Sequence, residues 1–160
     1  MADGIARMAQ PPEICPGLTI ARSAPPPRPS PGRERPLMLL IDDEPMVARF
    51  IAHAAEEHGY DARVTINAGA FRREYDSDPP DAVAIDLAMP GGDGIELLRF
   101  LAERESKATV LIVSGFDERV LDAAMRLGTA LGLRMAGPLH KPMRVSDLID
   151  AIAPGEALVR

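Results

Sequence analysis

The chain has 160 residues, enough for one domain with a real core and hardly for two. Its 46% hydrophobic and 26% charged residues are ordinary for a globular protein, and no apolar run approaches the roughly 18 residues that a membrane helix needs. A net charge of -6 argues against a nucleic-acid surface, Cys15 has no second cysteine to pair with, and no apolar leader follows a basic start; a cytoplasmic protein whose partners are proteins is expected.

Residues 1–36 stand apart in composition, holding 9 of the 16 prolines and five arginines against three acidic residues. The stretch Ala24-Pro25-Pro26-Pro27-Arg28-Pro29-Ser30-Pro31-Gly32 can form neither helix nor sheet. A disordered tail is expected over 1–36, and a solvated extension is favoured over a docking segment. With few large apolar residues it should bury little area, so deleting residues 1–35 is expected to leave the fold unchanged.

After the tail, short apolar runs alternate with stretches of helical spacing, the pattern of strand–helix units around a parallel sheet. The first strand is Leu37 to Ile41. A helix follows with Met46, Val47, Phe50, Ile51, Ala54 and Ala55 on one face; Asp43 suits its cap, Pro45 its first turn and His58-Gly59 its end. The second strand runs roughly from Ala62 to Ile66, and a weaker helix spans Ala68 to Tyr75. The third strand is Ala82 to Ile85, with a helix from Gly94 to about Glu105, and the fourth is Val110 to Val113. A long helix from about Glu118 to Leu131 leads to a fifth strand near Met135 to Leu139. Val145, Leu148, Ile149 and Ile152 mark the apolar face of a closing helix.

Strands one, three and four are apolar throughout, as expected when helices cover both faces, while strand two alternates and strand five holds Gly137 and Pro138, which suit edges. A flavodoxin-like, doubly wound α/β sheet of five parallel strands in the order 2-1-3-4-5 satisfies this and the right-handed crossover rule. In such a sheet, polar residues at the carboxyl ends of the strands meet in one crevice. Here those ends are Asp42-Asp43-Glu44, Asp86, Ser114 and His140-Lys141-Pro142. Taken singly, each has an ordinary explanation as a cap, a turn residue or a surface charge; the conjunction at four strand ends points to a site. Asp42, Asp43 and Asp86 would stand together, and their repulsion demands a proton or a cation. Oxygen-only ligands point to magnesium. An aspartate beside a divalent cation and a lysine can attack phosphorus, because metal and ammonium neutralise the transferring oxygens.

The segments Leu40-Ile41-Asp42-Asp43-Glu44-Pro45, Ile85-Asp86-Leu87-Ala88-Met89-Pro90-Gly91-Gly92-Asp93-Gly94, Ile112-Val113-Ser114-Gly115 and Lys141-Pro142 resemble, in order, the four signatures of response-regulator receivers. The resemblance implies a receiver domain over 37–154, with 155–160 a short end. It implies Asp86 as phospho-acceptor, a magnesium ion held by Asp43, Asp86 and the Ala88 carbonyl with Asp42 acting through a water, Ser114 as switch hydroxyl and Lys141 as phosphate-binding lysine. It also implies a cis Lys141–Pro142 bond. The phosphoryl donor would be a sensor histidine kinase or phosphotransfer protein and the receiver of the signal a downstream effector protein. The chain would not be an enzyme beyond its own Mg-dependent phosphoryl acceptance.

Two features depart from that pattern. Pro138 stands where the family carries an aromatic switch residue, so no ring can report the state of Ser114. The stretch from Ser114 to Lys141 is longer than in the chemotaxis type, and over 118–142 it is similar to receivers fused to cyclic-di-GMP phosphodiesterases. Only 18 residues follow Pro142, so a stand-alone receiver is expected, its output carried by the segment from Phe116 to Met135. His53, His58 and His140 read as structural or surface residues, since His53 and His58 miss the four-residue spacing of paired helical ligands. An aspartate-based phosphohydrolase of the haloacid dehalogenase kind would need Asp-x-Asp after strand one, a spacing that Asp42-Asp43-Glu44 lacks. A degenerate receiver acting as a phosphorylation-independent binding module is the alternative.

Overall fold

The structure, a computed structural model, describes residues 28–91, 93–115 and 117–153. Strands β1 (Leu37–Ile41), β2 (Asp61–Thr65), β3 (Ala82–Asp86), β4 (Thr109–Ser114) and β5 (Arg134–His140) form one sheet in the order β2-β1-β3-β4-β5, every pair parallel. Helices α1 (Pro45–Glu57), α2 (Ala68–Ser77), α3 (Asp93–Glu103), α4 (Glu118–Ala130) and α5 (Val145–Ile152) connect and close it. The expected order and fold class are therefore found, with element ends displaced by a residue or two.

Alternation across the pleat explains why β1 and β3 are buried along their whole length. Leu39, Ile41, Val83, Ile85, Val110 and Ile112 pack with Phe71 of α2, Leu97 and Leu101 of α3 and Leu121 of α4. Their neighbours Met38, Leu40, Ala84, Leu111 and Val113 pack with Ile51 and Ala55 of α1 and Leu148 and Ile152 of α5. Both faces are covered, and the polar residues that follow each run are left at one rim. α3 begins so close to that rim that a Cβ on Gly94 would lie 2.8 Å from Leu87 Cδ2 and 3.2 Å from the Asp86 carbonyl oxygen.

The edge strand β5 is irregular. Its register with β4 jumps from Leu111↔Ala136 to Val113↔Leu139, so Gly137 and Pro138 together oppose Ile112 in a bulge. Gly137 takes φ +92, and a Cβ there would come within 2.9 Å of Leu111 Cδ1. The Gly137–Pro138 and Lys141–Pro142 peptide bonds are both cis.

Two expectations need correction. Glu44, not Asp43, is the N-cap residue of α1, and its side chain makes no capping bond. Pro45 at the first helical position fixes the cap one residue later than expected, which leaves Asp43 at the strand end. The second concerns the predicted tail. Residues 1–27 lie outside the described residues, but from Ser30 onward the chain is bound to the amino end of the sheet. Asp81, just before β3, accepts the Ser30 amide (3.0 Å) and hydroxyl on Oδ1, and Arg33 Nη1 (3.1 Å) and the Leu37 amide (2.8 Å) on Oδ2. Arg33 also reaches Asp78 and the Pro79 carbonyl (2.9 Å), while Arg35 donates to the carbonyls of Glu56 (2.8 Å) and Gly59 (3.1 Å). This attachment is made of hydrogen bonds and charge, which the apolar content of the segment does not reveal.

Candidate functional site

Four strand ends build the site. β1 runs directly into Asp42, whose Oδ1 accepts the Glu44 amide at 2.8 Å, an aspartate turn that leads into α1. β3 ends on Asp86, whose Oδ1 accepts the Ala88 amide at 2.8 Å. β4 ends on the buried Ser114, and the Ser114 carbonyl accepts the Lys141 amide at 3.1 Å, which ties the loop after β5 to the same rim.

Carboxylate oxygens of Asp42, Asp43, Glu44 and Asp86 all lie within 4.8 Å of one another. Asp42 and Asp86 are buried; Asp43 and Glu44 face solvent. Lys141 is the cation among them, with Nζ 2.9 Å from Glu44 Oε1, 3.0 Å from Asp42 Oδ2 and 3.1 Å from Asp86 Oδ2. The Asp42 contact is close enough for an ion pair but is not aligned as a hydrogen bond, so Oδ2 is a buried acceptor without a donor. Burial holds the Asp42 carboxyl above its ordinary value and Asp86 adds to the rise, against the opposing pull of the Glu44 amide and Lys141. Burial also disfavours the Lys141 ammonium, but its contacts with Glu44, Asp42 and Asp86 outweigh that and hold it above the usual lysine range. One lysine is thus shared among carboxylates that outnumber it.

Every residue proposed from the sequence sits at this rim: Asp42, Asp43, Asp86, Ala88, Ser114 and Lys141. Ala88 enters the observed geometry through its amide, not its carbonyl. No histidine belongs to the carboxylate cluster: His53 pairs with Glu57 at 3.4 Å, His58 Nδ1 donates to the Ala54 carbonyl at 2.8 Å, and His140 is exposed on β5. Glu44 joins the cluster as well, and its signal in the sequence is an acid between Asp-Asp and Pro at a helix start.

Residues 38–153 match the response regulator receiver domain as a family. The chain belongs to that family. Receiver relatives include RegA of Rhodobacter capsulatus, a photosynthetic apparatus regulatory protein, 29% identical over 129 residues that cover 79% of this chain and 66% of that protein. The positive alginate biosynthesis regulatory protein of Pseudomonas aeruginosa is 32% identical over 72% of this chain and 45% of its own length. The chain thus spans only part of either relative. It covers 92% of the response regulator receiver protein CpdR of Brucella abortus, at 29% identity over 116 residues. Among solved structures, the Francisella response regulator 1452 receiver domain superposes with a TM-score of 0.59 at 30% identity, covering 71% of this chain and 90% of that one. A response regulator from Burkholderia pseudomallei gives 0.63 at 22% identity, covering 73% and 66%, a likeness of fold.

As a receiver, the chain takes part in phosphorylation-based two-component signalling, in which receivers accept phosphoryl groups from histidine kinases and act on effectors rather than turning over substrate. Receivers bind a divalent metal in an acidic pocket, and the residues here fit one: the donors are all oxygen, several carboxylates converge, and the buried Asp42 Oδ2 has no hydrogen-bond donor. No helix among the described residues is long and apolar enough to cross a membrane.

Proposed function

We propose that the chain is a single-domain response regulator, working in the cytoplasm, that accepts a phosphoryl group on Asp86 from a sensor histidine kinase or phosphotransfer protein and signals by binding a downstream effector protein. The observation that carries this is the buried Asp86 carboxylate held between the Ala88 amide and the Lys141 ammonium, beside Asp42 and Asp43. In the transfer, an Asp86 oxygen forms a bond to phosphorus as the bond to the donor's leaving atom breaks, and the leaving group departs with the electron pair. Lys141 would take a phosphoryl oxygen, and Ser114 would donate to another. Asp42, Asp43, Asp86 and the Ala88 carbonyl would hold Mg2+. When bound, the ion offsets the charge of the carboxylates and of the phosphoryl oxygens.

The fit of the chain to 92% of CpdR supports the single-domain reading, and the phosphorylated aspartic acid and calcium ion in the Burkholderia protein support the acceptor and metal assignments. Output is assigned to α4 and its flanks, because the loop after Ser114 feeds directly into that helix and Pro138 offers no ring to turn. The test is labelling by acetyl phosphate. Wild type is expected to take up label only with magnesium, and Asp86→Asn to take up none; acid-stable label on Asp86→Asn would overturn the assignment. Ser114→Ala should accept the group yet lose most phosphorylation-dependent partner binding, and with beryllofluoride amide exchange should change most within 115–135.

A further inference from the structure

Glu44 occupies the N-cap of α1, a position where a short carboxylate such as Asp would turn inward to the first helical amides. Glu44 does not do so. Its Oε1 instead reaches Lys141 Nζ at 2.9 Å, the shortest of the three contacts of that ammonium, from 97 residues away in sequence. The two other partners, Asp42 and Asp86, are buried at 3% and 1% side-chain exposure, whereas Glu44 is 59% exposed and stands at the mouth. The ammonium donates hydrogen bonds to Glu44 and Asp86 and pairs by charge alone with Asp42 at 3.0 Å, so one cation serves three carboxylates. A phosphoryl group arriving on Asp86 brings oxygens that need a cation, so Lys141 must give up part of this arrangement. The partner at the solvent-exposed mouth can hydrate its carboxylate when released; the two buried ones cannot.

We propose that Glu44 is a positioning residue acting as a latch on Lys141: it holds the ammonium toward the mouth of the site in the unphosphorylated protein and competes with the incoming phosphoryl group for it. The inference rests on Asp86 being the acceptor. Glu44 touches neither the attacking oxygen nor phosphorus; its effect is exerted through the lysine. In the reaction it modulates, an Asp86 oxygen bonds to the phosphorus of acetyl phosphate as the phosphorus–oxygen bond to the acetyl group breaks, and acetate leaves with the electron pair. Removing the latch lowers the cost of turning Lys141 toward the phosphoryl oxygens.

The experiment compares wild type, Glu44→Ala and Glu44→Asp. Alanine removes both the contact and the charge. Aspartate keeps the charge at the mouth but is one methylene too short to keep the contact. Neither should impair folding, since the Glu44 side chain caps nothing. With magnesium fixed at saturation, both variants are expected to be labelled by acetyl phosphate about two- to fivefold faster than wild type, the factor that an exposed ion pair supplies. A second readout is independent of phosphorylation: the Lys141 ammonium protons, followed by nitrogen-15 NMR without donor, should exchange with water faster in both variants, while magnesium affinity changes less than twofold. Equal labelling rates in all three proteins would overturn the latch, as would faster labelling in Glu44→Ala alone, which would assign the effect to charge at the mouth. A large loss of magnesium affinity would make Glu44 a metal ligand instead. If wild type takes no label while ammonium exchange still responds, the acceptor assignment has failed and the contact itself stands, without a competitor to latch against.

Discussion

β3 has an aspartate at each end, and the two are treated in opposite ways. Asp81, before its first residue, has both carboxylate oxygens saturated: two donors from Ser30 on one, Arg33 and the Leu37 amide on the other. Asp86, its last residue, shares one half-buried lysine with Asp42 and Glu44, and Asp43 adds a further negative charge. The same side chain is a structural anchor where donors fill its lone pairs and a reactive group where they fall short. A satisfied buried carboxylate resists change, whereas an under-compensated cluster can lower its energy by taking up a cation. The Asp81 carboxylate is fully bonded, whereas the cluster around Asp86 is left with an incomplete charge balance.

Removing the anchor should have the largest effect. Asp81→Ala leaves the Leu37 and Ser30 amides without their acceptor and removes one of the partners of Arg33, and is expected to cost about 3 kcal/mol in urea unfolding; a loss below about 1 kcal/mol would show that Asp81 is no anchor. At the other rim, magnesium at a hundredfold excess over its dissociation constant should stabilise wild type by about 2.7 kcal/mol, because only the folded chain gathers the carboxylates. That gain should shrink sharply in Asp43→Ala, whose exposed side chain can be removed without disturbing the core. Deleting residues 1–35 should cost about 1–2 kcal/mol, less than Asp81→Ala because water can partly replace the missing donors; an unchanged thermal midpoint would mean that Ser30 and Arg33 contribute nothing in solution.

The smallest expected effect has the opposite sign. Burial raises the Asp42 carboxyl in the folded state, so folding favours its protonated form, and its contribution to stability falls as pH rises from the unfolded value of about 3.9 through the folded one. At neutral pH without magnesium, Asp42→Asn should therefore be more stable than wild type by about 1 kcal/mol, or roughly 3 °C. The gap should close as the pH is lowered and Asp42 takes its proton. A gap that widens on acidification would contradict the assigned direction.

The sequence made the two rims unequally visible. Apolar runs such as Leu37–Ile41 and Val110–Val113 announce central strands, because only a strand covered on both faces is apolar without alternation. Once those strands are ordered, Asp42, Asp43, Asp86, Ser114 and Lys141 must share a rim, since parallel strands bring all their carboxyl ends to one side. The anchor at the other rim was not legible: Ser30 and Asp81 are 51 residues apart, and nothing in a proline-rich segment marks one serine and one arginine as partners of a distant loop. Asp43 reads as a helix cap because cap preference is a local rule, whereas the proline two residues on sets the cap at Glu44. The Glu44–Lys141 contact, 97 residues apart, belongs to the same class of information, a pairing decided by tertiary geometry alone.

The bulge in β5 bears on how the molecule behaves when crowded. An open sheet ends in two strands whose outer N–H and C=O groups can accept a strand from another chain, the route by which soluble sheets stack into aggregates. On one side Pro138 has no N–H to offer, and the extra residue at Gly137–Pro138 throws the ladder out of step in mid-strand. On the other, Asp61 and Arg63 place charges along a strand of five residues. Neither edge therefore offers a foreign strand a long, uninterrupted ladder to extend.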